Sequence, residues 1–269
     1  MNRRWCFSTL GCPELTLDSV LALADRFGIA AIELRALNGS LDLPGYFREY
    51  ERKEPAAFRA LRGSGRIVGI NTSFGLAVNT PADRDALLEQ ARLADSLGAT
   101  QLRLFGGFPL AEPFTPERLR HALDTLAWWH DCRSRYGFSC DIILEVHDGF
   151  SSSDRCRELL DAAPYPLRFI WDLQHSHFAA GEALEYTWEQ IGRAVAHIHL
   201  RDAVLLPDGK IRWTLPGGGE MPVKPLLALL DQKGYGGLIS LEWEKYWHPE
   251  LAELSAVLEA ATSAGWFKL

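Results

Sequence analysis

A closed α/β barrel of eight parallel strands, each followed by a helix (a (β/α)₈ TIM barrel), is the fold class this sequence predicts. Three observations predict it. Eight short apolar runs recur along the 269 residues, at 5–8, 31–35, 67–71, 101–105, 141–146, 167–172, 196–200 and 238–242. Their starts lie 26 to 42 residues apart, which leaves room for the loop and crossover helix that parallel neighbours require. The first strand-to-helix turn, Ser8-Thr9-Leu10-Gly11-Cys12-Pro13-Glu14, lacks the glycine fingerprint often found in a doubly wound open sheet. Barrels of this kind run to about 250 residues as one unit. No linker or change of composition interrupts the rhythm, so a single domain over 1–269 is expected.

The helices follow in order. Residues 15–27 place Leu17, Val20, Leu21, Leu23 and Ala24 at helical spacing and stop at Gly28. Thr80-Pro81 and Thr115-Pro116 are start signals: a hydroxyl that caps, then a proline whose missing N–H costs nothing in the first turn. They open helices over 81–97 and 117–136, which end at Gly98 and Gly137. Two more, over 222–233 and 249–264, end at Gly234 and Gly265. Shorter helices are expected near 154–162 and 182–193.

Composition removes several function classes. The hydrophobic fraction is 47% with no apolar stretch approaching 18 residues, so a membrane span is not expected. The net charge is −7, and Arg3-Arg4 and 133–135 are the short basic clusters; neither forms the basic stripe that nucleic acid would need. The five cysteines are odd in number and contain no C-x-x-C pair. A disulfide scaffold or thiolate zinc site is therefore not expected, and a reducing, cytoplasmic location is. No apolar segment of signal-peptide type follows Met-Asn-Arg-Arg.

Barrel chemistry sits at the C-terminal ends of the strands. Strands one to four end in Ser8, in Glu33 and Arg35, in Asn71, and in Arg103. Strands five to eight end far more richly: Glu145-Val146-His147-Asp148, then Asp172 through His175 and His177, then His197-Ile198-His199-Leu200-Arg201-Asp202, then Glu242-Trp243-Glu244. Side chains alternate faces with period two. If the polar faces point inward, four adjacent strands aim Glu, Asp, His and Glu at one point. Each residue alone is commonly a rim or turn residue; their coincidence on four consecutive strands is what reads as a site. Such a hard O/N set suits one divalent ion, Mn²⁺, Mg²⁺ or Co²⁺, with Zn²⁺ left open.

At these residues the chain resembles the xylose isomerase-like superfamily of sugar phosphate isomerases and epimerases. The stretches that carry the resemblance are FSTLGCPELTLD, GIAAIELRA and LRLFGG, then more specifically LEVHD, WDLQHSHFAAGE, HIHLRDA and ISLEWEKYWHPEL. The resemblance implies a metal held by Glu145, Asp172, His199 and Glu242. It implies substrate-binding roles for His175 and Arg201. His147 and Arg103 are counted with them, His147 either behind the ligands or at the rim. His197 is expected to orient His199 or to bond within the barrel. The implied reaction is proton abstraction beside a sugar or polyol carbonyl through a metal-stabilised enediolate, with Glu145 and Glu242 as the acid/base pair.

Three alternatives stay beside this reading. A lyase of the inosose dehydratase type would use the same site and expel a hydroxyl. A DNA-repair endonuclease of the endonuclease IV type would need three metals, yet the first of the 8 histidines is His121, so strands one to four supply none. A non-catalytic sugar-binding barrel would have no reason to keep four candidate ligands. The LPGGGEMP stretch after strand seven reads either as a mobile turn or as an anion cradle. The aromatic stretches LAWWHDCRSRY and EWEKYWHP read as packing, a sugar-stacking wall or a contact in a homo-oligomer.

Overall fold

The structure is a computed structural model and describes residues 4–267. Arg3 of the basic pair, and both ends of the expected 1–269 span, lie outside the described residues. The strands, in chain order, are β1 (Arg4–Ser8), β2 (Ala31–Leu34), β3 (Ile67–Gly75), β4 (Gln101–Phe105), β5 (Asp141–Glu145), β6 (Phe169–Asp172), β7 (Val195–Leu200), β8 (Asp202–Leu205), β9 (Ile211–Thr214) and β10 (Leu238–Leu241). Eight of them close a barrel in the order β1-β10-β7-β6-β5-β4-β3-β2, with every neighbouring pair parallel. All eight predicted strands are these eight. The main difference is β3, which runs on to Gly75.

The helices are α1 (Leu17–Arg26), α2 (Leu43–Lys53), α3 (Pro55–Leu61), α4 (Pro81–Leu97), α5 (Pro116–Tyr136), α6 (Ser153–Ala162), α7 (Leu184–Ile191), α8 (Val223–Gln232) and α9 (Leu254–Ser263). Thr80 caps α4 in a full capping box with Asp83, and Gly98 closes it in the left-handed region at φ 73°. Thr115 caps α5 more simply, accepting from the Arg118 N–H, and Gly137 closes it in the left-handed region. Three features depart from the sequence reading. Helix α9 begins at Leu254 instead of near 249, because residues 246–248 turn back on Glu244 and Leu10 through backbone bonds. Helices α2 and α3 were not predicted: within Leu43–Lys53 only Leu43 and Phe47 are buried, too few apolar residues to show a period. The β8–β9 hairpin was also missed, although Pro207-Asp208-Gly209 is a turn signal.

Alternation divides the strands' work. Ile32, Leu34, Trp171, Ile198 and Leu200 join the apolar core between barrel and helices. Their alternates Glu33, Asp172, His197 and His199 are buried on the opposite side, inside the barrel. No helix among the described residues is long and apolar enough to cross a membrane.

The glycine loop after the hairpin is not a cradle open to an external anion. Its backbone N–H groups already serve an internal one. Asp202 accepts from Gly217 at 2.8 Å, Gly219 at 3.1 Å and Met221 at 3.3 Å, and from Ala203 at 3.0 Å. Gly219 is required by close approach: a Cβ there would stand 2.1 Å from Asp202 Oδ1. Asp202→Ala strands these donors and is expected to lower unfolding free energy by about 2 kcal/mol. Urea denaturation reads this directly, and an unchanged midpoint would deny Asp202 its role in holding the loop.

Candidate metal centre

Strand register brings the site together. Asp172 pairs with His199 across β6–β7, Ile170 with both Glu145 and His197, and Ser240 with His199 across β7–β10. By register Glu145 stands two residues below the Asp172–His199 pair and Glu242 two residues above it, a stagger that the tilt of barrel strands offsets at the mouth. One donor atom from each of the four lies within 4.8 Å of the others. The four residues are only 1–4% exposed.

Three carboxylates converging under burial repel one another and lose their hydration, so they need cations close by. His199 Nδ1 lies 2.6 Å from Glu145 Oε1 and 3.2 Å from Glu242 Oε2. Arg201 donates to Asp172 Oδ2 and Glu242 Oε2, each at 2.6 Å, to Gln174 Oε1 at 2.8 Å, and pairs with Glu244 at 2.8 Å. The balance shows in the proton affinities. Burial pushes Asp172 up to about 6 in spite of Arg201. Burial acts on Glu242 in the same sense, but His199 and Arg201 outweigh it and hold the carboxyl well below its usual range. His199 is raised well above the ordinary imidazole: burial opposes its charge, and Glu242, Glu33 and Glu145 overcome that.

The donor set fits a divalent cation. It offers three carboxylate oxygens and one imidazole nitrogen on rigid strand ends, with a carboxylate standing behind the imidazole. The nitrogen of His199 that faces the quartet is Nδ1, which leaves Nε2–H for Glu33 Oε2 at 3.2 Å. Glu33 is fixed in turn by the Ser240 hydroxyl, which donates to its other oxygen. Burial would raise the Glu33 carboxyl, yet His199 and His197 hold it at about 2. A carboxylate behind a metal-binding histidine sets its tautomer and raises its basicity. In the sequence Glu33 stands out only as a strand end. Period two, applied to strand two as it was to strands five to eight, would have placed it inside the barrel.

The remaining expected residues are placed as follows. Arg103 reaches Glu145 Oε2 at 3.3 Å, and its Cζ lies 3.8 Å from the centre of the Phe105 ring. His147 bonds Asp148 through Nδ1 at 2.7 Å, and its ring packs 3.7 Å from that of His175. His175 opens a π-helical turn over His175–Ala179, and its N–H donates to Asp172 Oδ1 at 3.1 Å. Burial and the neighbouring His147 pull the His175 imidazole well below its usual value. Arg201, expected to hold a substrate oxygen, has its donors on Asp172, Glu242, Glu244 and Gln174. His197 bonds within the barrel, from Nδ1 to Gln101 Oε1 at 2.9 Å, with Nε2 3.6 Å from Cys6 Sγ. It forms a second group of potential ligand atoms with Glu33 and His199, a group that shares His199 with the quartet.

A divalent ion that binds the folded chain at a hundred times its Kd is expected to stabilise it by about 2.7 kcal/mol. Thermal unfolding with Zn²⁺ or Mn²⁺ measures this, and the shift should vanish when Asp172→Asn and His199→Gln are combined. Glu33→Gln is expected to weaken metal affinity by about 10- to 100-fold with the far-UV spectrum retained. Unchanged affinity would separate Glu33 from the centre.

Known proteins place this architecture. The description "Xylose isomerase-like TIM barrel" matches residues 21–268. An inosose dehydratase of Geobacillus thermodenitrificans (strain NG80-2) is 24% identical over 163 residues, covering 55% of this chain and 53% of that protein. The match thus spans about half the length of that relative. Among solved structures, a probable 3-DHS dehydratase of Bacillus anthracis, AsbF, involved in petrobactin synthesis, superposes with a TM-score of 0.78 at 17% identity, over 99% of this chain and 100% of that one. The IOLI protein with a bound zinc atom superposes at 0.76 and 17% identity, again over 99% and 100%. At these identities the structures share the fold, and the match over residues 21–268 carries the assignment: the chain belongs to the xylose isomerase-like TIM barrel family.

Proposed function

We propose that this chain is a divalent-metal-dependent sugar isomerase or epimerase, acting by proton abstraction from the carbon beside a carbonyl. The observation that carries the reading is the buried quartet of Glu145, Asp172, His199 and Glu242, one residue from each of four consecutive barrel strands or their ends. A divalent ion bound there supplies Lewis-acid polarisation of a carbonyl and the hydroxyl beside it. The zinc atom of the IOLI structure makes Zn²⁺ a candidate beside Mn²⁺, Mg²⁺ and Co²⁺.

The chain's own residues supply the proton chemistry. Glu145 ends β5 and Glu242 follows β10, with β6 and β7 between them in the barrel wall. They approach the mouth from different sides, so one carboxylate can remove a proton and the other return it. Return to the opposite face of the same carbon inverts that centre. Return to the neighbouring carbon exchanges aldose and ketose. His175 and His147, packed ring against tilted ring at the half-buried rim, are the groups to bond substrate hydroxyls. Arg201 orients Asp172 and Glu242 by holding one oxygen of each.

A second reading keeps the same first step and ends in loss of a neighbouring hydroxyl. The dehydratase names of two similar proteins favour it. A panel of ketoses, aldoses, inososes and hydroxy-carbonyl acids in D₂O tests the shared step. Solvent deuterium is expected at the carbon beside the carbonyl, and Glu145→Gln and Glu242→Gln are each expected to abolish its entry. Full exchange in either variant removes that residue from the proton transfer. The mass of the product separates rearrangement from loss of water.

A further inference from the structure

The half of the barrel facing the quartet carries two arginines beside one carboxylate, Glu33, which His199 already engages. Arg35 lies two residues beyond Glu33 on the same strand face, one level nearer the mouth. Asn71 is the register partner of Arg103 across β3–β4. All three are buried, at 7%, 2% and 2% exposed for Arg35, Asn71 and Arg103. They come from β2 or its end, β3 and β4, which lie across the barrel from β6 and β7.

These cations are poorly neutralised. Arg35 donates to the Asn71 carbonyl at 3.1 Å and to Ser73 Oγ at 2.7 Å, both neutral oxygens. Among the described residues no carboxylate forms an ion pair with it. Burial, and then the charge of Arg103, draw its guanidinium down to about 10 against the longer-range pull of Glu242 and Glu145, neither of which pairs with it. Arg103 has one long contact to Glu145, and its Nε has no hydrogen-bond partner; nor has Asn71 Nδ2. Arg201 in the same mouth shows the contrast, since three carboxylates surround it. Buried charges and donors are costly unless paired. A neutral sugar hydroxyl would accept these donors but leave the charge. An anion answers both, and a planar carboxylate matches the guanidinium fork.

We propose that the substrate of this site carries a carboxylate, held by Arg35, Arg103 and the Asn71 side-chain amide, while its hydroxy-carbonyl end faces the quartet. This rests on reading the quartet as the reaction centre. The substrate class is then a hydroxy-keto acid instead of a neutral sugar. The group supplying the negative charge is not itself consumed; it anchors one end while the proton moves at the other.

Calorimetric titration of the metal-loaded protein tests this, with 2-keto-D-gluconate and glycolate as carboxylate probes, D-fructose as the uncharged one and D-fructose 6-phosphate as the phosphate ester. At least one carboxylate is expected to bind about tenfold or more tightly than D-fructose, the scale of one charge-assisted contact. Arg35→Gln should erase that preference while metal affinity, measured alongside, is kept. Asn71→Asp supplies the missing counter-charge. It should also erase the preference and raise the Tm, and it carries the test if Arg35→Gln does not fold. Equal binding of D-fructose, preference for the phosphate ester, or no binding of either carboxylate would overturn the proposal. Deuterium exchange on a neutral ketose without any carboxylate preference sinks this inference alone. Carboxylate binding without exchange sinks the reaction and leaves the anion wall standing.

Discussion

Like-charged carboxylates held together under burial are the constraint around which the barrel mouth is organised. Glu145, Asp172 and Glu242 cannot relax apart, because each is carried at or just past the end of a hydrogen-bonded parallel strand. Their mutual repulsion is offset by groups reaching in from elsewhere: the His199 imidazole between Glu145 and Glu242, the Arg201 guanidinium on Asp172 and Glu242, and Arg103 beside Glu145. Burial first, then Glu145 and Glu242, still raise the Asp172 carboxyl in spite of Arg201. A cluster of this kind makes no sense as packing. Its donor set fits a small, concentrated positive charge.

The outer and inner faces of the same strands meet different demands. On β2, Ile32 and Leu34 face the helix layer while Glu33, between them, backs His199 from within the barrel. On β6, Trp171 packs toward Trp188 and donates to Ser176, while Asp172 beside it faces the mouth. Rigidity bought by the apolar layer is thus delivered to the polar one. The inner layer is itself divided, with the quartet acids on β5, on β6 and just after β10, the imidazoles on β7, and Arg35 and Arg103 on the facing strands beside Glu33.

The loops extend this electrostatics outward. Asp202, buried at the start of the β8–β9 hairpin, gathers the N–H groups of the glycine loop about its carboxylate. It plays internally the part that a bound anion plays in many barrels. Gly219 is there for closeness to Asp202, where a Cβ would collide with the carboxylate.

The chain's own pattern was enough to determine the eight strands, the capped starts of α4 and α5 at Thr80 and Thr115, their ends at Gly98 and Gly137, and the alternation that turns Glu145, Asp172 and His199 to one side. These are local properties, written in spacings of two and about 3.6 residues and in single capping residues. Helices α2 and α3 escaped because their polar faces hide the period. The pairing of Glu33 with His199, the capture of Arg201 by Asp172 and Glu242, the bond from His197 to Gln101, and the occupation of the glycine loop by Asp202 belong to the tertiary structure. Several of these link residues far apart in the chain, and all depend on which strands close on which and in what register. No local period carries that information; barrel closure and the pairing of buried charges decide it.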